Sequence, residues 1–142
     1  MFIFRFANLT LSTSCKLFFG AEVKSLELYL QEDKQDLQIF SEFGNSFNQT
    51  TILIQKRLQN PMSEYIRTKT VVDLENHIKV VHNFIRGIIK KRLSEDIENK
   101  NDLLSRHIKR LRAENQEINE TDLLYISTNF LLAGNYQNFD LF

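Results

Sequence analysis

The chain has 142 residues, enough for one domain and too few for two. Lysine plus arginine equals aspartate plus glutamate at 18 each, so no basic excess exists to displace counterions from a nucleic acid, and no nucleic-acid partner is expected. A single cysteine, Cys15, excludes an internal disulfide and a multi-cysteine zinc site, and no apolar stretch reaches membrane-spanning length.

Hydrophobic residues at 42% and charged residues at 25% are the composition of a folded globular chain. Four glycines and one proline leave little turn chemistry for an all-β fold, so long helices and an all-α class are expected. The opening MFIFRFANLTLSTSC has neither a basic n-region nor a continuous apolar h-region and is not read as a signal peptide. The sequons NLT, NQT and NET are read as chance in a chain rich in Asn, Ser and Thr.

Residues 2–19 place Phe4, Ala7, Leu11, Cys15 and Phe18 at helical spacing, which makes Cys15 a small packed residue; Gly20 is the expected stop. A polar connector, EVKSLELYLQEDKQD, follows. A second helix is expected from about 37 to 58, with Phe40, Phe43, Phe47, Thr51, Ile54 and Leu58 recurring every three or four positions. Pro61 ends it, and Asn60 before it is pushed from helical angles. A third runs from about 71 to 93 on the stripe Leu74, Ile78, Val81, Ile85 and Ile88, widened by Val80, Phe84 and Ile89. Lys90, Lys91 and Arg92 suit the negative end of its dipole.

EDIENKN is expected as a solvated connector, and DLLSRHIKRLRAE as a short helix with Leu103, Leu104, Ile108 and Leu111 on one side. The last helix starts near NETDLLY, where Asn119 or Thr121 can cap and Glu120 and Asp122 suit the positive end. Leu123, Ile126, Phe130 and Ala133 make one stripe, with Leu124, Leu131 and Leu132 on other faces; a helix apolar most of the way round belongs inside something.

Little of this carries chemistry. His77 and His82 are five apart, whereas a helical metal pair needs four or three, so both are read as surface or boundary residues and His107 as exposed. Ser12, Ser14 and Cys15 have no base or strand–turn–helix elbow beside them. The clusters IKKR and HIKRLR are diluted by Glu95, Asp96, Glu98 and Glu114 and read as solvated faces. Glu117, Glu120 and Asp122 are read as capping acids, with a catalytic carboxylate pair as an alternative that nothing else in the sequence supports. No catalytic residue and no metal ligand is assigned. The step Ala133–Gly134 remains: glycine there costs about 1 kcal/mol of helix stability, so either another backbone or a flat ligand packs closely against it. Spacing alone favours the backbone.

In order, FANLTLSTSCKLFFG, FGNSFNQTTILIQKRLQNP, DLENHIKVVHNFIRGIIKKR, NDLLSRHI and DLLYISTNFLLAG resemble the middle of a haem-thiolate monooxygenase, a cytochrome P-450 of the plant fatty-acid omega-hydroxylase branch. That branch carries segments like LDSICKLGFG, an F-x-x-x-F-D-x-A run ending in arginine and proline, D-L-L-S-R-F, and a helix like LRDISLNFILAGRDTT. Asp102, Leu103, Leu104, Ser105 and Arg106 match the fourth, and Asn129, Phe130, Leu131, Ala133 and Gly134 the fifth. The resemblance implies a partial helical core of about five helices over 1–134, the family's helices E to I, with 135–142 as a divergent tail. It also implies haem as cofactor, an apolar substrate such as a long-chain fatty acid, an NADPH-dependent reductase as partner, and the endoplasmic reticulum membrane as location, with the cytoplasm as the alternative for the segment by itself. Ala133 and Gly134 would lie over the haem, and the Phe-rich stretch 40–47 would fit a substrate roof as well as plain core.

Where the family continues with a variable residue, an acid and threonine, this chain has Asn135, Tyr136 and Gln137. The E-x-x-R pair and the loop bearing the haem-ligand cysteine are not among the 142 residues, nor is the family's membrane anchor, and Cys15, in the helix E stretch, does not replace the ligand. The expectation is a truncated, inactive segment that binds no haem itself; the alternatives are a non-enzymatic helical interaction protein and a product that does not fold alone.

Overall fold

The computed structural model describes residues 2–20, 34–59 and 68–136. It holds five helices: α1 (Phe2–Phe19), α2 (Lys34–Leu58), α3 (Lys69–Ser94), α4 (Leu103–Ala113) and α5 (Glu120–Tyr136). Among the described residues there is no strand, so the all-α expectation holds in class, count and order. Asn60 and Pro61 lie outside the described residues. The connector expected before α2 is shorter than the sequence suggested: its last three residues, 34–36, are already helical, and Lys and Gln are good helix formers.

The chain packs as two compact units, Asp33–Phe84 in one and the segments Met1–Glu32 and Ile85–Phe142 in the other. In the first unit, Phe43 and Phe47 are 1% and 2% exposed, and Leu74 and Val81 are buried too. The Phe43 ring stacks on Phe84, with centroids 4.1 Å apart and planes at 19°. This burial is plain core packing; a Phe side chain contributes about 1.5–3 kcal/mol when fully buried. Thr50 and Thr51 satisfy their hydroxyls on the carbonyls one turn back, Ser46 O at 2.8 Å and Phe47 O at 3.1 Å, and so remain inside a helix.

In the second unit the core is Leu11, Cys15, Phe18 and Phe19 of α1, Ile85 and Ile89 of α3, Ile97, Leu104 and Ile108, and Leu123, Leu124 and Leu131 of α5. Two contacts set the direction of α5. Phe18 meets Phe130 with ring centroids 4.7 Å apart, and the Cβ position of Gly134 points at Ser14. Each pair is four residues from the other along its helix, and the two orders oppose, so α5 runs antiparallel to α1.

The buried face of α5 is Leu123, Leu124, Ser127 and Leu131, so of the stripe expected from sequence only Leu123 is buried. Ile126 and Ala133 are exposed and Phe130 is half-buried. The spacing 124, 127, 131 follows one helix face as well as 123, 126, 130 does. Ser127 is tolerated there because its hydroxyl bonds Leu123 O at 2.7 Å. Of the two capping candidates Asn119 is used: its Oδ1 accepts from Thr121 N at 2.8 Å. α4 ends on Asn115, at φ 51°, with Gln116 N bonded to Leu111 O at 2.9 Å, a left-handed stop that Asn tolerates.

Candidate functional site

Two features of the second unit concentrate unusual geometry. The first is a charged cleft where the end of α1, the end of α3 and the start of α4 converge. Arg92, expected on a solvated face, is only 8% exposed. The correction has a physical cause: its guanidinium meets acceptors that need it. Nη2 donates to the Phe19 carbonyl, one of the last of α1, which has no partner within the helix. It also lies 3.4 Å from Asp102 Oδ2, while Nη1 lies 3.7 Å from Glu95 Oε2. Arginine presents its donors in a planar fork, so one side chain reaches three acceptors.

Asp102 is the N-cap of α4. Its Oδ1 accepts from Ser105 N at 2.9 Å and its Oδ2 from Ser105 Oγ at 2.8 Å. Gly20 terminates α1 at φ +59°, with its N bonded to Lys16 O at 2.9 Å. A Cβ at Gly20 would stand 2.9 Å from Asp102 Oδ2, so both the backbone angle and the close approach require glycine.

EDIENKN is not a free connector. Ile97 is 1% exposed, Lys100 bonds the Glu95 carboxylate, and Lys109 Nζ donates to Glu98 O at 2.6 Å and Lys100 O at 3.0 Å. The hydrogen bond from Lys100 holds the Glu95 carboxyl below its usual range, helped by the charges of Lys100, Arg92 and Lys91. The cleft between these groups has a volume of about 450 Å³ and is lined by Phe19, Arg92, Glu95, Lys100 and Asp102 among others. Arg92 pairs with Asp102 and Glu95, and Lys100 with Glu95, so the cleft is an ionic clasp.

The second feature is the Ala133–Gly134 step. Both residues are exposed, yet a Cβ at Gly134 would lie 2.8 Å from Ser14 Oγ. Of the two readings left open by sequence, the close neighbour on the Cβ side is another helix.

The described residues contain no group of three or more His, Cys, Asp or Glu able to hold a metal ion, whereas a haem-thiolate centre needs a single thiolate. Cys15 is fully buried, as its spacing predicted, and burial pushes its thiol up to about 12, so it stays protonated where a thiolate is needed. Cys15 therefore does not fit the role of a haem's thiolate ligand. His77, His82 and His107 are each half-buried; for His107 this corrects the expectation of exposure. Glu120 and Asp122 lie in the first turn of α5 as expected, while Glu117 precedes the helix. No described helix is long and apolar enough to cross a membrane.

Sequence reasoning missed Arg92 and the capping role of Asp102. For the cap the available signal was D-x-x-S at 102–105, at the start of the expected short helix.

Residues 3–135 match the family model described as Cytochrome P-450. No curated protein and no solved structure matches the chain.

Proposed function

Because the chain belongs to the cytochrome P-450 family, we propose that it is the central helical segment of a haem monooxygenase of the plant fatty-acid omega-hydroxylase-like branch, inactive as these 142 residues stand. The observation that carries the reading is the order of five matching segments, spanned by one family match over residues 3–135. Complete members of the family hold haem, take electrons from a redox partner and oxidise apolar substrates. In the parent enzyme the substrate is a long-chain fatty acid or a similar apolar molecule, the electrons come from an NADPH-dependent reductase, and the site is the endoplasmic reticulum membrane.

Residues 1–134 form the family segment and 135–142 a divergent tail. Ala133 and Gly134 are the haem-facing step: small side chains on the open side of α5 let a flat group approach the helix. The protein's part in such chemistry is binding and orientation, since the cofactor carries the oxidation. Two features support inactivity of the chain alone. Asn135, Tyr136 and Gln137 stand where the family has its acid and threonine, and Cys15 is a neutral, buried thiol.

Sequencing the transcript across the codons for 134–137 tests this reading. The reading expects Asn-Tyr-Gln after Gly134. A transcript with an acid–threonine pair there, continuing into a cysteine-bearing loop, makes the segment part of an active monooxygenase and overturns the inactivity. A second reading, a helical interaction protein, draws on Tyr125 and Ile126, adjacent on α5 and 58% and 41% exposed. A cooperative melt from a monodisperse sample favours it; aggregation with strong dye binding opposes it.

A further inference from the structure

We propose that Ser14 and Gly134 are a positioning pair that, together with Phe18 and Phe130, locks α5 into one axial register on α1. The observations are steric. The space a Cβ would take at Gly134 holds Ser14 Oγ at 2.8 Å, closer than real Cβ contacts come, while Ser14 Cβ is 3.7 Å away, an ordinary contact. Ser14 is 7% exposed, so its hydroxyl sits in packed surroundings. One turn along, Phe18, 4% exposed, meets Phe130 with centroids 4.7 Å apart and planes at 35°.

A small pair and a bulky pair thus alternate at a spacing of four residues, about 6 Å along each axis. Sliding α5 by one turn either drives the Phe130 ring onto Ser14 or leaves Phe18 opposite Gly134 with nothing to fill the gap. Both cost packing, so one register is selected. Its functional meaning, fixing where the Ala133 face stands, rests on the proposed role of that face; the register itself does not.

Gly87 provides the contrast. It also lies inside a helix, but nothing stands within 4 Å of its Cβ position. Replacing a free helical glycine by alanine lowers the conformational cost of the helix, so Gly87→Ala raises the melting midpoint of the 142-residue chain by about 4 °C. Gly134→Ala, in the last turn of α5, has a smaller intrinsic gain and meets Ser14 Oγ, whose one torsion must turn within packed surroundings to make room; the register lock then lowers the midpoint. Combining it with Ser14→Ala leaves only the 3.7 Å contact, and the midpoint returns to or above that of Ser14→Ala alone.

The experiment measures these melts together with the distance between nitroxide labels at L17C and I126C, both exposed positions, with Cys15 too buried to be labelled. The expected result is a label distance that shifts in Gly134→Ala and returns in the double variant. A Gly134→Ala chain that gains stability as Gly87→Ala does, or keeps its label distance, overturns the proposal. Should Gly134→Ala not fold, the double variant decides: folding restored supports the pair, folding not restored overturns it. Neither readout involves haem, so failure here leaves the proposed function standing, and failure of that function leaves the register untouched.

Discussion

Arg92 holds three acceptors with one guanidinium, and its removal leaves Asp102, whose side chain is 5% exposed, as a buried charge without its partner. Arg92→Ala is expected to destabilise the chain by about 3 kcal/mol, the scale for breaking a buried pair from one side. Arg92→Lys recovers only part, because an ammonium cannot span the Phe19 carbonyl and two carboxylates. Denaturant melts measure both. Glu95 shows the pH dependence of the same cluster. Its carboxyl is held low in the fold, first by the Lys100 hydrogen bond, so its contribution is present above the unfolded carboxylate range and is lost as pH falls through the folded value. Glu95→Gln removes that acid-side loss; an unchanged pH profile contradicts it. Cys15, with its thiol pushed up to about 12, is expected to resist alkylation at pH 8 in the folded chain and to react fully in denaturant. Its burial was legible from spacing alone. Arg92 was not, because one basic residue in a run of three gives no sign of which one turns inward.

At the scale of elements, the helices were legible within a few residues because long apolar periodicities met almost no Gly or Pro. The stop at Gly20 was legible for the same reason. The orientation of α5 was not: with apolar side chains on most faces, periodicity offered two stripes, and the choice was made by the fit of Leu124, Ser127 and Leu131 to the rest of the unit. α4 depends on its cap. Asp102→Ala loses the bonds to Ser105 N and Ser105 Oγ and the charge facing Arg92, whereas Asp102→Asn keeps a capping oxygen. The cap alone is worth about 1 kcal/mol. Asp102→Ala is therefore expected to cost clearly more than that, and Asp102→Asn to fall between it and the parent. Equal losses for the two, measured by thermal melts, would show that only the charge matters.

For the whole molecule, membership of the cytochrome P-450 family and the all-α fold agree, and both were legible in the order of the five segments. The candidate site was legible only in part. Ala133–Gly134 was singled out by its small residues, but the neighbour that explains the glycine, Ser14, is 120 positions away in sequence and gave no signal of contact. The central proposal is that this chain, a segment of the cytochrome P-450 family, does not ligate haem through Cys15. The most direct measurement is the carbon-monoxide difference spectrum of the purified chain, mixed with haem and reduced, beside a Cys15→Ser variant. The account predicts no band of thiolate-ligated haem and identical spectra for the two chains. A thiolate band that disappears in Cys15→Ser would contradict it.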